Sequence, residues 1–140
     1  MDPLSIVVSI ATLLELGLRV SKEVDSVIRT WKSCSPVIMA LSNEVSDLVV
    51  VLDHIYAAQE SVRAKGGKHD HQFIVALDSN LVQTEDLLHQ LATLLAELKA
   101  LSSLKRKYKW QRKQYVAEDL QRRLRMSRLR INELLIAHNV

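Results

Sequence analysis

Apolar residues recur at helical spacing along almost the whole chain, and breakers divide them into four stretches. The first starts at Asp2-Pro3, a capping residue followed by a proline at the first helical position, where a missing N–H costs nothing. Its later half carries one stripe: Val20, Val24, Val27/Ile28 and Trp31. Ser35-Pro36 repeats the cap-then-proline signature, so helix one should end near Ser33 and helix two begin at Pro36. Helix two presents Ile38, Leu41, Val45, Leu48/Val49, Leu52 and Ile55/Tyr56, and expires before Gly66-Gly67. Residues 65–70 are a loop. Helix three, which Asp70 can cap, presents Phe73/Ile74, Leu77, Leu81, Leu88, Leu91, Leu95 and Leu98, with Thr84 in the missing step. Helix four presents Val116, Leu120, Leu124, Ile131 and Leu134/Leu135, with Ser127 as its weak step. Ser102-Ser103 is the break between them.

Each helix is about 25–35 residues, roughly 40–50 Å at ~1.5 Å per residue. Short connections favour antiparallel neighbours, so the expected fold is all-α: one domain over residues 1–140, an up-down four-helix bundle with a strongly apolar first helix. Composition agrees. Of 140 residues, 48% are hydrophobic but only 4% aromatic, with 3 Gly and 2 Pro, too few turn formers for an all-β fold. The single Cys34 excludes an internal disulfide and a cysteine-rich zinc site, and suits a reducing compartment. A cleavable secretory signal would open on cations, but the first cation, Arg19, follows the apolar run; the segment reads as retained.

The formal charge of +3 conceals two unequal parts. Residues 1–104 hold 8 Lys/Arg against 13 Asp/Glu, whereas residues 105–140 hold 11 against 3. Within residues 104–115 lie six cations and three of the six aromatics. Lys105, Arg106, Lys107, Lys109, Trp110, Arg112 and Lys113 are the candidates for anionic-lipid binding, each cation adding about 1 kcal/mol near an acidic bilayer. A solvated helix face is the plainer explanation of such a run. Nucleic-acid binding is a third, without any zinc finger, RNP motif or recognition-helix signature to accompany it.

Signals for catalysis are thin. Gly66-Gly67-Lys68 lacks the spacing and the following Ser/Thr of a phosphate loop. His69-Asp70-His71 sits in a loop without second-shell support for a metal, and Cys34 has only Lys32 as a cationic neighbour. No enzyme, cofactor or metal is expected.

The segment Leu4–Leu18 is apolar nearly all round. Leu4, Ile6, Val7, Val8, Ile10, Leu13, Leu14, Leu16 and Leu18 are therefore candidates for membrane insertion. Fifteen residues give about 22 Å of helix, short of the ~30 Å hydrocarbon thickness; extension to Lys22, with Arg19 and Lys22 snorkelling, reaches about 28–30 Å. Ser5, Ser9, Gly17 and Ser21 form a row of small residues suited to close helix packing in lipid. Glu15 is a candidate lumen residue, since an unpaired carboxylate at the bilayer centre costs about 2.5–3.5 kcal/mol. Equally, helix one is simply the most buried helix of a soluble bundle, with Glu15 at its margin.

The opening Met1-Asp2-Pro3-Leu4-Ser5, followed by Ile6-Val7-Val8-Ser9-Ile10-Ala11-Thr12-Leu13-Leu14, resembles the N-terminal HeLo-like domain of fungal STAND (NLR-like) proteins. Leu41-Ser42-Asn43-Glu44-Val45-Ser46-Asp47-Leu48 is similar to that family's second helix. The resemblance implies a helical bundle acting as the effector module of a programmed-cell-death or innate-immunity receptor. Such a module is cytoplasmic at rest, with sensor domains downstream in the full-length chain. Activation would homo-oligomerise it on anionic lipids and free the first helix to permeabilise the membrane. This sequence departs from the family in having only Gly17 and Ala11 where Gly and Ala are usually scattered, so Ser5, Ser9 and Ser21 would serve as the small residues. The alternative is an adaptor that associates with other proteins and never enters a bilayer.

Overall fold

The computed structural model describes residues 3–31, 35–66 and 71–138, with the side chains of Pro3, Leu4 and His138 outside the description. Four helices account for nearly all of it: α1 (Pro3–Thr30), α2 (Pro36–Ala64), α3 (His71–Lys99) and α4 (Ser103–His138), with no strand among the described residues. The boundaries have local causes. Ser35 is extended, at φ −66° and ψ 143°, and its hydroxyl accepts from the Val37 N–H at 3.2 Å, with Pro36 in the first turn. Gly66 takes φ +70° just after α2, a conformation open to glycine at little cost. Helix α1 stops at Thr30, three residues before the expected Ser33, and Trp31 still donates its N–H to the Val27 carbonyl at 3.0 Å. Asp2 and Asp70, the other expected caps, lie outside the described residues.

The stripes meet in one core. Val20, Val24, Val27 and Trp31 are buried, as are Ile38, Leu41, Val45, Leu48, Leu52 and Ile55, while Ile28, Val49 and Tyr56 are partly buried. Every expected α3 position is buried, and Leu87 and Leu94 join them. Along α4, Leu120, Leu124 and Ile131 are buried, with Trp110 and Ala117 added beyond the expected set. The two polar gaps are partners. Thr84 and Ser127 are both buried, and the Thr84 hydroxyl donates to the Asn80 carbonyl at 2.7 Å, which leaves Ser127 to donate to Thr84. A hydrogen-bonded pair at this depth satisfies two groups that would each be costly alone.

Helix α1 packs against α2 and α3, and α4 packs against the same two; α1 and α4 share no packed face, nor do α2 and α3. The order around the bundle is therefore α1, α2, α4, α3. Successive helices are adjacent except at the α2-to-α3 step, where the chain crosses a diagonal. Six residues, 65–70, reach roughly 20 Å when extended, enough for that crossing.

One close approach depends on glycine. A Cβ on Gly17 of α1 would lie 3.1 Å from Val49 Cγ2 of α2, tighter than side chains normally pack. Gly17→Leu should therefore cost about 1–3 kcal/mol in urea unfolding through overpacking. Adding Val49→Ala, which vacates the space, should recover most of it.

Candidate functional site

The segment Leu4–Leu18 resolves into two faces. Ile6, Val7, Ile10, Leu13 and Leu16 are buried in the core, and Leu14 is half-buried against it. Val8 and Leu18 are exposed, at 54% and 48%, beside Thr12 and Glu15. Pattern alone leaves this run apolar all round; between two neighbouring helices it divides into an inner set and a thin outer remainder. No helix among the described residues is long and apolar enough to cross a membrane. Of the small-residue row, Gly17 is buried against α2, Ser9 and Ser21 are half-buried and Ser5 is exposed. Glu15 is exposed, and it does not line an interior space in this state.

The basic stretch divides as well. Trp110 is not on the cationic face. It is 6% exposed and meets Trp31 edge to face, with ring centroids 5.8 Å apart and planes at 79°. Such a pair is worth about 0.5–1.5 kcal/mol beyond its buried area. Its cationic sequence neighbours point elsewhere because successive residues on a helix are ~100° apart. Arg106 is half-buried, and its guanidinium donates to the carbonyls of Leu98 at 2.8 Å and Leu101 at 3.2 Å. It closes the C-terminus of α3, where carbonyls lack helical partners and a positive charge is favoured. Lys109 pairs with Glu97 of α3 at 3.5 Å. The remaining cations, Lys105, Lys107, Arg112 and Lys113, are in no ion pair among the described residues. Two of the seven candidates thus hold α4 against α3, one fills the core, and four remain for a ligand.

Further along α4, Arg122 and Arg123 both pair with Asp119, and Arg128 donates to Glu44 of α2 at 3.4 Å in a mostly buried contact. Arg125 and Arg130 are exposed and in no ion pair among the described residues. Sequence reasoning missed the cap made by Arg106 and the inter-helix pair Glu44–Arg128. Glu44 gives some signal, since it falls between Leu41 and Leu48 on the buried face of α2.

Among the described residues no group of three or more His, Cys, Asp or Glu side chains is placed to hold a metal ion. Gly67, Lys68, His69 and Asp70 lie outside the described residues, as does Cys34. Glu60 is held below the usual carboxylate range by its hydrogen bond to Arg63, whose own pKa is raised in return, but both are exposed on α2 as an i,i+3 pair. A surface depression of about 550 Å³ lies between α3 and α4 and is lined by Asp86, Leu87, Arg122, Arg123, Met126 and Arg130 among others. It offers positive charge and no nucleophile paired with a base.

Comparison of the chain with protein-family models, with curated proteins and with solved structures finds no match.

Proposed function

We propose that this bundle is a non-enzymatic membrane-targeting effector domain in its resting state. It permeabilises membranes through α1 after oligomerisation. The observation that carries the reading is a division of labour between opposite sides of the bundle. The apolar side chains of α1 are stored in a core that non-covalent packing alone maintains. Unpaired cations on α4 remain open to an anionic surface. The resemblance of the N-terminal residues to HeLo-like domains, with their cell-death and immune setting, supports the same reading. We also infer up-down chain directions: α1 opposes α2, with Asp25 bonded to Ser42 and Gly17 beside Val49, and α3 opposes α4, with Thr84 bonded to Ser127 and Glu97 to Lys109.

Removing residues 1–20 would strip Ile6, Val7, Ile10, Leu13, Leu16 and Val20 from the core, so truncation confounds insertion with unfolding. A lock is cleaner. The Asp25 Oδ1 and Ser42 Oγ atoms are 3.4 Å apart across the α1–α2 contact. Asp25→Cys/Ser42→Cys, with Cys34→Ser to prevent mispairing, should form a disulfide that keeps α1 docked. The oxidised protein is expected to release no dye from anionic liposomes under oligomerising conditions, and reduction should restore release. Equal leakage before and after reduction rejects insertion by α1.

The burial of eight apolar side chains of α1 equally favours the adaptor reading, in which the bundle works intact. An adaptor keeps partner binding when locked, and neither form leaks vesicles.

A further inference from the structure

Helix α4 carries a second apolar row, on the face turned away from the core. Leu104, Tyr108, Tyr115, Met126, Leu129 and Ile136 are all exposed, and they are half of the exposed large hydrophobic residues of the described chain. At ~100° per residue they fall within an arc of about 80°. The buried Trp110, Ala117, Leu120, Leu124 and Ile131 lie on the opposite side of the same helix. The row is about 48 Å long at ~1.5 Å per residue. Exposed cations flank it on both sides, Lys105, Arg112 and Arg130 on the edge toward α3 and Lys107 and Arg125 on the edge toward α2, while Arg122, paired with Asp119, interrupts the row itself between Tyr115 and Met126. Glu118 and Glu133 are the two exposed carboxylates on this face.

We infer that α4 docks lengthwise on an anionic lipid surface through this row, with the flanking cations at the headgroups. The inference rests on the membrane-targeting reading above and extends its contact from residues 105–113 to the full length of the helix. Charge selects the occupant. A second copy would bring its own α4, with 11 cations against 3 carboxylates, and the two rows would repel each other. A bilayer supplies negative charge along the whole row. The row is also a convex ridge, which a plane can meet along its length. Tyrosine suits the interface, with an apolar ring and a polar tip, and the long cationic stems reach outward to phosphates. Tyr108 and Tyr115, at 66% and 72% exposed, take the anchoring place that Trp110 leaves by entering the core.

The test is co-sedimentation of the 140-residue chain with phosphatidylcholine vesicles, with and without 30% phosphatidylserine. Dye release is read in parallel. The wild type is expected to bind only the anionic vesicles, more weakly as salt rises. The variant Tyr108→Ser/Tyr115→Ser/Leu129→Ser/Ile136→Ser should lose at least tenfold in vesicle affinity while keeping its circular dichroism and melting temperature, because all four positions are exposed. A second variant, Lys107→Glu/Arg112→Glu/Arg125→Glu, should lose a similar amount. Wild-type binding by the serine variant overturns the inference. So does capture of an acidic peptide such as poly-glutamate by the row with no vesicle binding, which assigns it to a protein partner. Binding without leakage, under oligomerising conditions, leaves α4 docking standing and rejects permeabilisation. Leakage that survives in the serine variant rejects the docking row alone.

Discussion

Trp110→Ala is expected to destabilise the protein by about 3–5 kcal/mol, the range for truncating a buried aromatic residue to alanine. In a chain of this length that corresponds to a fall in melting temperature on the order of 10–20 °C. The cause is local and double. Truncation removes a side chain that is 6% exposed, and it strips Trp31 of its edge-to-face partner at the end of α1. Thermal melts followed by circular dichroism measure the loss. A Trp110→Phe variant, which keeps a ring against Trp31, should recover more than half of the lost stability. If the residue instead belonged to the cationic surface, Trp110→Ala would leave the melt unchanged and weaken vesicle binding, so the two placements predict opposite patterns.

Ile10→Ala should have an effect of similar size with a different consequence. Ile10 is fully buried, and its truncation should cost about 2–5 kcal/mol through lost transfer energy and the cavity left behind. That cavity falls on α1. If α1 must leave the core before it inserts, part of the lost stability lowers the free energy of its release. A 3 kcal/mol change favours release by about a hundredfold, at 1.4 kcal/mol per tenfold. The variant should then release dye at a lower protein concentration than wild type, although its α1 is slightly less apolar. Combined with the oxidised Asp25→Cys/Ser42→Cys lock, it should be silent. A truncation elsewhere serves as the control: Leu88→Ala in α3, equally buried, should destabilise the chain without the same gain, since the side chain it removes belongs to α3 and not to α1.

Helix positions were readable because their signals are local. Ser35-Pro36 specifies its own cap, and a 3.6-residue stripe marks the face that will be buried, whatever lies opposite. Even the defects in the stripes are informative, since Thr84 and Ser127 break the patterns of α3 and α4 where they bond to each other. What the stripe does not contain is the identity of its neighbour. The order α1, α2, α4, α3 depends on which helix faces meet, and no periodicity encodes that. The basic stretch misleads for a related reason. Its composition averages over a full helical turn, and the turn contains a core residue, Trp110, and a capping residue, Arg106, beside cations that face solvent. Likewise, an all-round apolar run such as Leu4–Leu18 does not say which residues stay outside. Contact with both α2 and α3 decides that Ile6 and Ile10 go in while Val8 and Leu18 stay out.

The diagonal placement of α1 and α4 sets a direction for the whole molecule. A bundle resting on lipid through the outer face of α4 holds α1 at its far corner, beyond the core and roughly 11–14 Å from the axis of α4, given 8–10 Å between adjacent helices. If the proposed function holds, recruitment would not deliver α1 to the bilayer; it would carry that helix upward, away from it. Arrival and attack would then be separate events, the second requiring α1 to swing around a neighbour. On that proposal a monomer parked on a membrane is harmless by geometry, and only a rearrangement that opens the bundle would arm it.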